Sequence, residues 1–183
     1  MGTQGKNSKS DLFLGSNAYR LVTKSSVPVM TIKDQINKKG YQNILLPIDL
    51  SDHSRQKVNY AIDMAKSFNA KLSILGLYDE KEKADKFKLE IVVEQISKIC
   101  NKSKVTFEAF IDKTHHRVSK TNTFAKKHKC DLVVTMTDQK IDGLRGMLST
   151  YDHELIHTSK IPVISIHPEL LGLTTGGTAG VPF

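Results

Sequence analysis

The feature that most constrains this chain is a change of hydrophobic period that recurs from Tyr41 to His167. Short apolar runs suited to buried strands alternate with longer segments whose apolar residues fall at helical spacing. Asn43 to Ile48 is the first run and leads into Asp49. Val58, Ala61, Ile62, Ala65 and Phe68 then mark one helical face, with Ser51 placed as N-cap. Lys71 to Tyr78 is strand-like, and Leu89, Val92, Val93, Ile96 and Cys100 line a second helix behind the lysine-rich lead-in Lys81 to Lys88. Val105, Phe107, Ala109 and Ile111 alternate as a third strand, and Arg117 to Lys129 reads as a weaker helix. Asp131 to Met136, a helix near Leu148 to His157, and Ile161 to His167 complete the series. Parallel strands need crossovers of about a dozen residues, and helices supply them here. The pattern predicts a doubly wound α/β domain: a five-stranded, mainly parallel sheet with helices on both faces. Such sheets bind ligands beyond the carboxyl ends of their strands, where strand order reverses. That rule points to Asp49 and to the segment from Thr137 to Gly146.

The part before Tyr41 repeats the end of the chain. Phe13 to Val22 aligns without gaps on Met147 to Ile156, and Val27 to Ile32 aligns at the same offset on Ile161 to Ile166. Internal repeats are the cue to tandem architecture. Residues 1–36 therefore read as the C-terminal remnant of a first copy, 37–40 as a linker, 41–168 as a complete copy and 169–183 as a flexible tail.

Composition narrows the function classes. No apolar run approaches the ~20 residues of a membrane span, and the N-terminus lacks a signal-peptide pattern, so the expected compartment is the cytoplasm. Cys100 and Cys130 are too far apart for a redox pair and read as buried thiols. Lys and Arg exceed Asp and Glu by 27 to 19, but they are spread along the whole chain without aromatic interleaving, which argues for a solvated surface over a nucleic-acid interface. His115-His116, the His153/His157 pair and His167 lack a third ligand and read as surface residues, with no metal site. The Ser51-Asp52-His53-Ser54 run places consecutive side chains in different directions, which excludes a hydrolytic triad.

One motif carries chemistry. Gly2 and Gly5, then nine residues, then Gly15-Ser16 at the start of a helix-like segment, suit a phosphate. Glycines allow close backbone approach, and a helix start offers unpaired N–H groups. With this loop, the stretch Ile44-Leu45-Leu46-Pro47-Ile48-Asp49, the run Lys127 to Val134, and the Val27-Pro28-Val29 and Ile161-Pro162-Val163 strands, the sequence resembles the universal stress protein family. The resemblance implies an adenine nucleotide alpha hydrolase-like domain that dimerises through its last strand. It implies that some members hold ATP, with its magnesium ion, through Gly-x-x-Gly-x9-Gly-Ser and an Asp ending strand one, while others lack the glycines and bind none.

By family position Gly2, Gly5, Gly15 and Ser16 would touch phosphate and ribose, yet their unit has no strands one to three here. The complete copy keeps Asp49 but carries Met136, Thr137, Gln139 and Lys140 in the glycine neighbourhood, and Ser149-Thr150 in place of Gly-Ser. A Cβ at those positions obstructs a phosphate cradle. The expectation is a non-enzymatic regulatory binding protein of tandem type, its ATP motif confined to the incomplete copy. The alternative is a nucleotide-binding module with weak ATPase activity once the first copy is completed. In the family a Met often precedes the first glycine, so the resemblance also implies a tandem parent of about 270 residues. Strands 27–32 and 161–166 are expected to pair, between chains or as an intramolecular pseudo-dimer. Leu14, Leu21, Val22, Val27 and Val29 would be exposed unless packed on the second copy or a protein partner, which favours self-association.

Overall fold

The computed structural model of the chain describes residues 16–25, 27–33, 40–51, 54–79, 83–137 and 150–167. The elements, in order, are α1 (Ser16–Lys24), β1 (Val29–Thr31), β2 (Asn43–Ile48), α2 (Lys57–Phe68), β3 (Lys71–Tyr78), α3 (Lys83–Lys102), β4 (Phe107–Lys113), α4 (Arg117–Lys127), β5 (Leu132–Met136), α5 (Thr150–Thr158) and β6 (Val163–Ile166). The strands form one sheet in the order β1-β6-β5-β2-β3-β4. Five strands are parallel, and β1 runs antiparallel against β6. The sheet therefore has six strands where the periodicity of the complete copy predicts five. The extra one comes from the segment before Tyr41, whose short Pro-led strand satisfies its backbone groups on the edge of β6.

Alternation along the strands builds two cores. Ile44, Leu46 and Ile48 of β2, with Leu72 and Ile74 of β3, face α2 and α3. Leu45, Leu75, Leu77 and Val133 face the opposite way, toward α1, α4 and α5. Burial of such side chains contributes roughly 1.5–3 kcal/mol each. The N-terminal segment belongs to the second core: Ala18, Val22 and Val29 are buried there, while Leu21 and Val27 stay exposed.

The repeat is visible in three dimensions. α1 and α5 start and stop at matching positions, and the turn after each is built alike. Ser25 Oγ donates to Val27 O at 2.7 Å, and Ser159 Oγ donates to Ile161 O at 2.8 Å. In the β1–β6 ladder Val29 faces Ser165, Met30 faces Ile164 and Thr31 faces Val163. Matching positions thus exchange across a local two-fold at Met30–Ile164, the self-complementary arrangement of an isologous contact.

The start of β2 is pinned by Asp131. Its carboxylate accepts from the Gln42 amide at 3.0 Å and the Asn43 amide at 3.0 Å, and the Asp131 amide donates back to Asn43 O at 2.9 Å. Ser73 Oγ donates to Asn43 Oδ1 at 2.7 Å, and Asn43 Nδ2 donates to His128 O at 2.8 Å. These bonds tie the start of β2 to its neighbours, and β2 pairs with β5 at Ile44–Leu132 and Leu45–Val133, short of the crevice at their carboxyl ends.

Candidate functional site

The crevice between β2 and β5 is the point where strand order reverses, since the chain runs from β2 outward to β3 and β4 and then returns to β5 on the other side. A cavity of about 230 Å³ opens there. Pro47, Ile48, Leu77 and Met136 form its apolar wall, and Asp49, Lys57, Arg117, Thr135, Tyr151 and Asp152 bring polar groups.

Asp49, the residue after β2, is half-buried and fully engaged by its own chain. Its Oδ1 accepts from the Ser51 amide at 3.0 Å and from Ser51 Oγ at 2.6 Å. Its Oδ2 accepts from Arg117 Nη1 at 2.8 Å, and the Asp49 amide donates to Ser54 Oγ at 2.9 Å. Ser51 is therefore not the cap of α2. That helix begins at Lys57 behind a turn through Ser54 to Gln56, too far along the chain for Ser51 to cap it, and the Ser51 hydroxyl donates to Asp49 instead.

Lys57 is one of the cavity residues, with Arg117, Tyr151 and Asp152, that the sequence did not single out. It stands at the first position of α2, is only 6% exposed and lines the cavity. A signal existed: Lys57 lies one and two turns before Ala61 and Ala65 on the stripe that packs against the sheet. Burial pulls its amine below the ordinary lysine value, against the pull of the Asp49 and Asp152 carboxylates. Asp152, 4% exposed, accepts a hydrogen bond from Thr135 Oγ1 in β5. Tyr151 shares a 3.0 Å hydrogen bond with Thr121 of α4, and burial raises its phenol well above the usual range.

Burial alone would raise the Asp49 carboxyl, but the Ser51 hydroxyl, Lys57, the Ser51 amide and Arg117 together hold it below its ordinary 3.8. A carboxyl depressed in the folded state contributes stability that is present above its unfolded value and is lost as pH falls through the folded one. The urea midpoint of the unaltered chain should therefore drop more steeply below about pH 4 than that of Asp49→Asn. Parallel slopes for the two would show that Asp49 gains nothing from this network.

Of the residues singled out in the sequence, Gly2, Gly5 and Gly15 lie outside the described residues, as do Gln139, Lys140, Ser149, His53 and the 169–183 tail. Ser16 opens α1. His115 Nδ1 is 3.0 Å from Asp79 Oδ1, and His153 packs edge-on against the Tyr19 ring. Among the described residues no cluster of three metal-ligating side chains occurs. Cys100 and Cys130 are free and buried, and burial pushes each thiol up to about 11. No described helix is long and apolar enough to cross a membrane.

The family model of the universal stress protein family matches residues 40–167. The chain belongs to this family. A universal stress protein from Archaeoglobus fulgidus superposes with a TM-score of 0.71 at 16% identity, covering 91% of this chain and 59% of its own. A functionally unknown protein from Pseudomonas aeruginosa gives 0.68 at 14%, covering 97% and 66%. A universal stress protein solved in complex with cAMP gives 0.60 at 22%, covering 71% and 99%. The chain thus spans 59–66% of the length of the first two structures. No curated protein sequence matches it significantly. At these identities the solved structures speak for the fold. The universal stress protein fold here is the α/β sheet described above, widened to six strands.

Proposed function

We propose that this universal stress protein is a cytoplasmic regulatory binding protein of tandem type rather than an enzyme, and that the complete copy does not cradle a triphosphate. One observation carries the reading. Among the described residues the strand-end carboxylate is occupied by Ser51 and Arg117, and the buried Lys57 is acted on by the Asp49 and Asp152 carboxylates, so the two cations these residues bring to the cavity already face anions. Helix N-termini and backbone nests hold phosphates with unpaired N–H donors and positive charge. The matching helices, turns and strands on either side of Met30–Ile164 support the tandem part of the proposal. β1 ends the described sheet, and with the exposed Leu21 and Val27 it offers the surface for self-association or a protein partner.

Calorimetric titration with magnesium ATP tests this. The expected result is no saturable binding that responds to Asp49→Ala in the chain as it stands. Micromolar binding lost on that change would overturn the reading.

A second reading, a nucleotide-binding module with weak ATPase activity when the first copy is complete or complemented, draws on the Gly2, Gly5 and Gly15-Ser16 spacing and on the relative solved with cAMP. Binding that survives Asp49→Ala but is lost on Gly15→Val would favour it.

A further inference from the structure

Lysines that lie scattered along the sequence meet in space. In a parallel sheet each crossover helix points its carboxyl end toward the amino ends of the strands, so the turns after α2, α3 and α4 share one end of the molecule. Each turn carries exposed lysines: Lys66 closes α2, Lys102 and Lys104 close α3, and Lys126, Lys127 and Lys129 close α4. α2 and α3 pack on one face of the sheet and α4 on the other, so these charges spread over a broad end rather than along a line. Asp49, Asp79, Asp85 and Asp152 stand at the opposite end, after strands or in first helical turns. At the basic end Glu108 pairs with Lys71, and Asp131 is engaged by the Gln42 and Asn43 amides.

Two further observations set these lysines apart. Lys71, Lys86, Lys88, Lys98 and Lys120 each have a carboxylate oxygen within 3.5 Å, whereas none of those at the helix ends is ion-paired with a described residue. The backbone supplies the second. All three helices close with the same bond, from the Ala70 amide to Ala65 O, from Val105 to Cys100 O and from Cys130 to Ala125 O. This closure puts one residue in the left-handed region, at Asn69 (φ 51°), Lys104 (φ 57°) and Lys129 (φ 53°). Glycine suits that conformation best, yet lysine holds two of the three positions. The helix dipole does not account for the number, since a helix end carries only about half an elementary charge while α3 and α4 bring two and three cations to theirs. An apolar ring accompanies the charges: Phe68, the last residue of α2, is 42% exposed and held edge-on by Tyr41, with ring centroids 5.2 Å apart.

We infer that this end of the molecule is a docking surface for an anionic lipid bilayer, with the lysines in the head-group layer and the Phe68 ring at the acyl boundary. Lysines are point charges without the planar fork that grips phosphates and bases two atoms at a time, and Arg55 and Arg117 precede or open helices at the other end. A broad lysine face with one apolar ring matches a surface of diffuse negative charge, whereas a nucleic-acid strand calls for a basic groove with a row of stacking aromatics. The surface is separate from the cavity between β2 and β5, which opens at the opposite end.

Vesicle flotation of the full chain tests this, with liposomes of phosphatidylcholine alone and of phosphatidylcholine containing about one-third phosphatidylserine. The expected result is partition into the anionic vesicles only, weakened as salt rises. Each lysine near such a surface contributes about fivefold in partitioning, so Lys104→Gly with Lys129→Gly should weaken it by about 25-fold. Because glycine suits both backbone positions, the urea midpoint should hold or rise while binding falls, which separates this result from misfolding. Lys86→Gln with Lys88→Gln removes the same net charge roughly 24 Å away along α3, more than two Debye lengths at physiological salt, and should change partitioning by less than about twofold. The chain contains no tryptophan, so Phe68→Trp is a single reporter whose emission should shift to the blue on anionic vesicles. Equal partition into both vesicle types, partition into neither, or an equal loss from the Lys86 and Lys88 pair would overturn the inference. So would salt-sensitive binding of a DNA duplex without a blue shift on vesicles, which would assign this end to nucleic acid.

Discussion

Asp152→Ala should lower the unfolding free energy by about 3 kcal/mol in urea titration, far more than its helical position suggests. Alanine is the better helix former, and α1 carries alanine at the matching place, so the backbone accommodates the change. The loss arises because the buried Lys57 faces one compensating carboxylate fewer, and breaking one side of a buried ionic set typically costs about 3–5 kcal/mol. Thr135 Oγ1 loses its acceptor as well. The double variant Asp152→Ala with Lys57→Met should recover a substantial part of that loss, because the uncompensated charge is gone. A double variant as unstable as the two single changes added together would show that the two groups do not communicate.

Asp131→Ala should be comparably damaging, again by about 3 kcal/mol, at the opposite end of the sheet. The carboxylate accepts from two successive amides at the entry to β2, and leaving buried N–H groups without an acceptor costs about 1–3 kcal/mol each. The central strand β2 registers with β5 through only two opposed pairs, Ile44 with Leu132 and Leu45 with Val133, so this clamp does much of the alignment. Asp131→Asn retains one acceptor oxygen and should lose less. Equal urea midpoints for Asp131→Ala and the unaltered chain would remove the clamp from the account.

Both predictions concern residues whose importance was unevenly visible in the sequence. Asp131 stood inside a recognisable run, Lys127 to Val134, but its role at the amino end of β2 depends on a contact between segments 88 and 89 residues apart. Asp49 was legible because a carboxylate ending the first strand of a doubly wound sheet falls where ligands sit. Its partner Arg117 was not: it opens a helix 68 residues away, and periodicity carries no record of that distance. Ser51 illustrates competition. Capping rules placed it at the head of α2, while in the structure its hydroxyl donates to the nearby carboxylate and the helix starts at Lys57.

The division between the two levels is physical. Strand and helix periods, the repeat of Phe13 to Ile32 near the chain's end and the strand-end position of Asp49 are properties of neighbours along the chain. The sequence by itself therefore determined the α/β class and the run of elements from β2 to β6. Only the tertiary structure decided that the N-terminal helix and strand join the same sheet, through an antiparallel edge centred on Met30 and Ile164. It alone decided that Lys57, Arg117 and Asp152, from three different helices, meet around one cavity. Charge pairing and burial act through space, and the energies they set are fixed by distances that local sequence patterns do not encode.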